Sequence, residues 1–239
     1  MTGRRTTGRR TTTWAEGQAA FAAAARWFAA TVATIDTEWE RPALGDWTVR
    51  DLVGHTSRAL LTVEAYLGPD AGPGAGPDAG LDAGATVASP AAYYGLAMAS
   101  LGEPSAVAAR GHDAGLALGP DPAGMVEIIA RRVLAQVAAA DPEARVETPV
   151  GGMRLADYLP TRTFELTVHT CDLAAALGVP AAALGVPAAA LGVPVSVPDA
   201  AASACLRLLA DLAVEKGLAA TLLLAATGRG PLPAGFTVL

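Results

Sequence analysis

The sequence has few of the residues that build β-sheets. Aromatic residues make up 5% of its 239 residues, and much of the 52% hydrophobic content is alanine. Alanine, leucine and arginine favour helices, whereas sheets are enriched in β-branched and aromatic residues. The composition therefore predicts an all-α globular protein, long enough for one substantial core or two small domains.

Long apolar runs are also missing, and acidic residues outnumber basic ones, 23 to 17. No run reaches the roughly 18 apolar residues that a membrane span needs, since Glu215 and Lys216 interrupt the leucine-rich C-terminal part. The net charge of −6 provides no basic surface for phosphate groups. We therefore expect no membrane and no nucleic-acid partner, and the composition favours chemistry on small molecules.

Cysteine is scarce too, with only Cys171 and Cys205, both in apolar helical patterns. This usage indicates a reducing compartment, where both thiols are small buried hydrophobic groups. Residues 1–13 are basic and threonine-rich, but Glu16 and Arg26 interrupt the apolar core that a signal peptide would need. We expect a disordered N-terminal tail and a cytoplasmic protein.

Hydrophobic periodicity predicts seven helical segments along the chain. They are Trp14 to Ile35, Val49 to Leu67, Ala91 to Leu101, Ser105 to Leu118, Asp121 to Ala140, Pro160 to Leu177, and a final helix or helix pair from Asp199 to Leu224. Thr48 and Asp51 form a capping-box pattern before the second segment. Asp121 and Pro122 suit the cap and first turn of the fifth.

Two segments interrupt the helical pattern. Residues 68–85 are rich in glycine and proline, which predicts a surface loop. Residues 174–194 repeat AAALGVP three times, and a proline and a glycine in each unit exclude a continuous helix. We therefore predict a helical bundle over residues 14–177, a linker over 178–198 and a helical extension over 199–239, with a monomer or a homodimer as the assembly.

The sequence RTFELTVHTCDL, residues 162–173, carries two polar stripes when drawn as a helix with ~100° per residue. The charged stripe comprises Arg162, Glu165, His169 and Asp172, and the threonine stripe, on roughly the opposite side, comprises Thr163, Thr167 and Thr170. One stripe is expected to face water. If the threonines do, Glu165 and His169 point inward, where charge must be paired or bound to metal. In the alternative, the charged stripe faces solvent and the threonines are buried through bonds to backbone carbonyls.

His55 lies on the second predicted helix, on the same side as Leu52 and Ala59, so it can also face the interior of a bundle. Two imidazoles and a carboxylate, His55, Glu165 and His169, are a suitable donor set for a divalent metal ion. Three protein ligands leave an open position, which is typical of a catalytic site. His112 lies far from both patterns and is left out.

The motif DWTVRDLVGH, followed about a hundred residues later by RTFELTVHTCDL, resembles the DinB-like superfamily, and within it the maleylpyruvate isomerase branch of mycothiol-dependent enzymes. The resemblance runs from about Trp14 to Leu177. It implies a four-helix bundle that holds a divalent metal ion, with zinc expected and nickel or manganese as alternatives. The ligand roles would fall on His55, Glu165 and His169.

The resemblance also implies a chemistry. In such enzymes the open metal position takes the sulfur of mycothiol, a low-molecular-weight thiol, and coordination makes it a nucleophile toward a small electrophile. Arg162 and Asp172 would then orient the ligands Glu165 and His169. The isomerase proper resembles a bundle followed by a mixed C-terminal domain, which this chain replaces with a linker and helices. The resemblance therefore favours a transferase- or isomerase-like metalloprotein without naming its substrate.

Two other functions remain open from the sequence. A metal-dependent hydrolase of a small amide or ester would use a metal-bound water as nucleophile, with Asp51 or Asp172 as base. A non-catalytic bundle would bind a metal ion or small molecule without turnover.

Overall fold

A computed structural model of the chain describes residues 12–68, 87–99, 104–179 and 196–239. The helices are α1 (Trp14–Val32), α2 (Val49–Leu67), α3 (Pro90–Ala99), α4 (Pro104–Ala117), α5 (Pro122–Ala139), α6 (Leu155–Ala176), α7 (Asp199–Glu215) and α8 (Ala219–Ala226). Two antiparallel hairpins accompany them, β1 (Pro42–Leu44) with β2 (Trp47–Thr48) and β3 (Arg145–Thr148) with β4 (Gly151–Arg154). The predicted all-α fold is confirmed.

Four long helices, α1, α2, α5 and α6, pack around one hydrophobic core and form a DinB-like bundle. Each helix contributes one apolar stripe, as amphipathic helices do. Phe21 and Phe28 come from α1, Leu52 and Leu60 from α2, and all four side chains are fully buried. Because α2 and α6 are direct neighbours in this bundle, side chains on their facing sides can meet.

The start of α2 is fixed by the predicted capping box. Thr48 accepts a hydrogen bond from the Asp51 amide at 3.2 Å, and Asp51 accepts one from the Thr48 amide at 3.0 Å. The preceding hairpin turns at Gly45, whose φ of +57° is readily adopted only by glycine. Together the hairpin and the cap place Trp47 directly before Thr48, the N-cap residue of α2.

Helix α4 lies directly against α2 at two glycines. A Cβ atom on Gly54 would collide with the backbone of Gly115, so the two helices touch backbone to backbone. One turn earlier on α4, a Cβ on Gly111 would lie 2.7 Å from Cε2 of Trp47, whose indole N–H donates to the Ala108 carbonyl at 3.1 Å. The close approach therefore fixes the position of the Trp47 indole.

Helix α6 is longer than predicted. It begins at Leu155, and Pro160, expected in the first turn, lies inside the helix. The prediction of the start was wrong because Leu155, Tyr158 and Leu159 are all buried and belong to the core face of the same helix. Their burial outweighs the cost of a proline, which lies here in the second turn.

The C-terminal helices pack back on the bundle. Helix α7 contacts α1 and α6, and Leu208 and Leu212 are buried against Phe164 of α6. Leu206 is 64% exposed because it lies on the opposite side of α7. Helix α8 contacts α7 and has no fully buried side chain.

Several predictions fall largely outside the described residues. These are the tail up to residue 11, most of the loop at 68–85, the end of the third predicted helix at residues 100–101 and the linker between 180 and 195. The hairpin of β3 and β4 lies between α5 and α6. Within the described ranges, no helix combines the length and apolarity needed to cross a membrane.

Candidate metal centre

The side chains of His55, Glu165 and His169 meet between α2 and α6. His55 lies in the second turn of α2, and Glu165 and His169 lie one turn apart on α6. Each offers one donor atom such that all three atoms lie within 4.8 Å of one another. The helix spacing of three to four residues brings the two α6 side chains to the same face, as drawn from the sequence.

Both oxygens of the Glu165 carboxylate have partners. Oε2 lies 3.3 Å from Nε2 of His169, and Oε1 accepts a hydrogen bond from the Tyr94 hydroxyl at 2.6 Å. Burial would raise the pKa of Glu165, but the hydrogen bond with His169 and the charge of Arg162 lower it to about 2. The carboxylate is therefore ionised at neutral pH and suited to a cation.

His169 is held by a second carboxylate. Its Nδ1 lies 3.0 Å from Oδ2 of Asp172, three residues further along α6. Burial would lower the pKa of His169, but the bonds to Asp172 and Glu165 raise it to about 9. Without a metal ion the ring is therefore protonated at neutral pH, with Nε2 directed at Glu165. A metal ion would replace the proton on Nε2, while Asp172 would keep Nδ1 as the donor, the arrangement commonly found around metal-bound imidazoles.

His55 has a different environment. Its ring packs on the Trp47 indole, with 4.4 Å between ring centroids, and meets the His169 ring edge-on at 4.8 Å. Within the described part of the chain, its buried Nδ1 has no hydrogen-bond partner. Burial, with the charge of His169, lowers the pKa of His55 to about 4. The ring is therefore neutral at pH 7, as a metal ligand must be.

These residues fit a divalent ion. Two imidazoles and a carboxylate are donors that zinc, nickel and manganese accept, and three protein ligands leave a position for an exogenous ligand. The unpartnered nitrogen of His55 supports this fit, because a buried polar atom without a partner is costly and rare. Their assignment as metal ligands stays a prediction that the geometry permits.

A cavity of about 170 Å³ is lined by His55 and Glu165 and is bordered by cationic and aromatic groups. The Arg162 guanidinium lies 4.9 Å from the ring centroid of Tyr158 and 5.5 Å from that of Tyr93. Its hydrogen bonds go to the hydroxyls of Thr161 and Tyr93, and no carboxylate among the described residues forms an ion pair with it. The cavity lining comprises His55, Arg58, Ala59, Thr62, Tyr66, Tyr93, Pro149, Tyr158, Arg162 and Glu165.

Neither polar stripe of α6 faces water, so the expectation that one of them would is wrong. Thr163, Thr167 and Thr170 are at most 4% exposed, and each hydroxyl donates to the backbone carbonyl four residues earlier. The charged stripe is also largely covered, with side-chain exposures of 24% for Glu165 and 18% for His169. Threonines that bond to their own helix need no water, so both sides of α6 can be buried.

Sequence reasoning missed several residues of this site. Tyr93 and Tyr94 lie on α3, whose apolar pattern contains no charge that would draw attention. Trp47 stands in the quoted motif, and its position eight residues before His55 was the available signal. His112 is not part of the triad, and its Nδ1 lies 3.0 Å from Oδ1 of Asp51. Asp51 therefore contacts His112 and also caps α2 through Thr48.

Comparison with known proteins identifies the bundle. Residues 21–174, more than half of the chain, match the family described as mycothiol maleylpyruvate isomerase N-terminal domain. The matched region contains His55, Glu165, His169 and Asp172 and ends before α7. No curated protein and no solved structure matches the chain. The chain therefore belongs to the family of the mycothiol maleylpyruvate isomerase N-terminal domain, on the DinB-like maleylpyruvate isomerase branch.

Proposed function

We propose that this protein is a divalent-metal-dependent enzyme that uses mycothiol as co-substrate. It either transfers the thiol to a small electrophile or isomerises that electrophile. The observation that carries the proposal is the convergence of donor atoms from His55, Glu165 and His169 within 4.8 Å. Membership in a mycothiol-associated family supports the choice of thiol. Zinc is the proposed ion, because a nitrogen- and oxygen-rich set of three ligands is typical of catalytic zinc.

The ion, when bound, supplies the positive charge that deprotonates a thiol at neutral pH. The thiol sulfur then forms a bond to the electrophilic carbon, and the proton that the thiol released returns to the adduct. In a transfer reaction this carbon–sulfur bond stays. In an isomerisation the same bond breaks after rotation, and the thiol leaves unchanged.

The residues around the cavity suit this reaction. Arg58 and Arg162 bring two positive charges to the cavity that His55 and Glu165 also line. Cations in a partly enclosed site stabilise negative charge on a thiol sulfur or on an electrophile that gains electrons. The proposed electrophile is therefore small, to fit about 170 Å³ beside the thiol, and negatively charged. Tyr66 and Tyr93 add aromatic surface against which a ligand can pack.

Mycothiol binding with and without metal tests the proposal. Isothermal titration calorimetry of zinc-loaded protein should give saturable binding of mycothiol, and chelator-treated protein should give none. His55→Ala should lose both zinc and mycothiol binding. His112→Ala is the matched control, because it removes the third histidine of the chain outside the triad and should retain both.

Two results would contradict the proposal. Zinc-loaded protein with no affinity for mycothiol would exclude the thiol as co-substrate. Cleavage of a small amide or ester by the metal-loaded protein without any thiol would instead indicate a hydrolase.

A further inference from the structure

Tyr94 contacts the candidate metal centre from outside the four-helix bundle. It lies on α3, is 5% exposed, and its hydroxyl donates to Oε1 of Glu165 at 2.6 Å. The Thr161 carbonyl is the second acceptor near this hydroxyl, at 3.3 Å. Because a phenol has one proton and the carboxylate is both closer and charged, the hydrogen bond goes to Glu165.

The Tyr94 ring is held firmly by its neighbours. It meets the Phe164 ring of α6 edge-on at a centroid distance of 5.5 Å. Cys205 and Leu208 of α7 belong to the same buried cluster, so helices α3, α6 and α7 together enclose the ring. A side chain packed on several sides has little rotamer freedom, and its hydroxyl therefore marks a fixed point relative to Glu165.

We propose that Tyr94 is a positioning residue that holds Glu165 as a one-oxygen ligand. The proposal rests on the metal centre proposed above. A carboxylate can bind a cation through one oxygen or both, and the hydrogen bond from Tyr94 occupies Oε1. This leaves Oε2, the oxygen nearest His169, as the donor. The protein then contributes three donor atoms, and a further position stays open for the thiol.

The same contacts give the C-terminal extension a role. Helix α7 lies beyond residue 174, where the family match ends, yet it packs around the tyrosine that bonds to Glu165. The extension therefore supports one ligand of the centre without reaching the ion itself.

Cobalt substitution of Tyr94→Phe tests the proposal, because the change removes the hydroxyl and keeps the ring against Phe164. Two quantities are measured at pH 7.5, namely cobalt affinity by competition with a chromophoric chelator and the visible d–d absorption of the bound ion. We expect the affinity to fall about 10- to 100-fold, the range typical for partners of metal ligands. The absorption should weaken, because a two-oxygen Glu165 raises the coordination number and higher coordination absorbs less strongly.

Tyr93→Phe is the matched control. It removes the neighbouring phenol of α3, which bonds to Arg162 and not to a ligand, and should keep the cobalt affinity and spectrum of the wild type. Tyr94→Leu, a second variant without the hydroxyl, should repeat the spectral change if the phenylalanine variant folds poorly.

The possible failures are distinguishable. Wild-type cobalt affinity and spectrum in both Tyr94 variants would overturn the positioning role and leave the metal centre intact. Equal changes in Tyr93→Phe and Tyr94→Phe would also overturn it, since they would indicate a general effect of α3. Wild-type protein that binds no cobalt would overturn the metal centre and this proposal together.

Discussion

The threonine stripe of α6 is buried and its charged stripe is largely covered, but their polar groups are satisfied in different ways. The threonine stripe, Thr163, Thr167 and Thr170, bonds to carbonyls of its own helix. The charged stripe, Arg162, Glu165, His169 and Asp172, has partners on α6 as well, but also draws on Tyr94 and Tyr93 of α3 and faces His55 of α2. The threonine stripe is satisfied within one helix, whereas the charged stripe draws on other helices and faces His55, whose buried Nδ1 has no partner among the described residues, as the proposed metal centre requires.

The largest expected difference between substitutions on the two stripes is in metal content, which His169→Ala should lose. Wild-type protein is expected to retain about one equivalent of a divalent ion after purification, measured by elemental mass spectrometry, and the variant none. Thr167→Val, the matched change on the other stripe, should retain the wild-type content. The reverse pattern would contradict the assignment of the ligands to the charged stripe.

A charge on the threonine stripe should be poorly tolerated. Thr170 is fully buried and its hydroxyl donates to the Leu166 carbonyl, so Thr170→Asp would bury a carboxylate that cannot make this hydrogen bond. We expect the free energy of unfolding to fall by about 3 kcal/mol or more, measured by urea denaturation. Thr170→Val should change it by no more than about 1 kcal/mol. Equal destabilisation by both variants would show that packing, and not charge, matters at this position.

Removing the charge of Asp172 should lower the affinity of the centre for zinc without abolishing binding. Asp172→Asn keeps an oxygen that can accept from Nδ1 of His169 but removes the charge that favours a firmly held, basic imidazole. Zinc affinity, measured by chelator competition, should fall about tenfold or more. Glu147→Gln, which removes a carboxylate on β3, is the control and should leave zinc affinity unchanged. An unchanged affinity in Asp172→Asn would show that Asp172 only stabilises the helix.

Alkaline pH should lower the folding stability of the metal-free protein through the charged stripe and not through the threonine stripe. The folded-state pKa of His169 is about 9, above its ordinary value of 6.5, so protonated His169 stabilises the fold fully below pH 6.5. This contribution is lost as the pH rises to about 9. Chelator-treated wild type should show a Tm lower by several degrees at pH 9 than at pH 6.5.

Two variants separate the stripes in the same measurement. His169→Gln should flatten the dependence of Tm on pH between 6.5 and 9, because it removes the titrating group. Thr167→Val should preserve it, since a threonine does not titrate in this range. A steep dependence in His169→Gln would assign the effect to another group.

The fold and the meeting of three side chains were predictable from local patterns. The capping box at Thr48 fixes where α2 begins, and so which way His55 faces, and the four-residue spacing places Glu165 and His169 on one side of α6. Such features depend on residues that lie close together in the sequence. They also sufficed to predict the helical class and the family, which the fold and the family match confirm.

Other features were not predictable because they depend on contacts between distant segments. Nothing near Tyr94 in the sequence indicates Glu165, 71 residues further along, as its acceptor. The start of α6 was misplaced because the proline rule is local, whereas the burial of Leu155 is decided by packing. The two stripes were treated as alternatives because a helix drawing shows the direction of each side and not which distant helices pack on it.

The backbone contact between α2 and α4 restricts how this protein can diversify in evolution. Any side chain at Gly54 or Gly115 would force the helices apart, and His55 is the next residue after Gly54. Mutations there would shift the imidazole together with its helix. For the proposed enzyme, a change of substrate is therefore expected from substitutions at the cavity rim, at positions such as Tyr66 and the exposed Pro149, and not from the segment around His55.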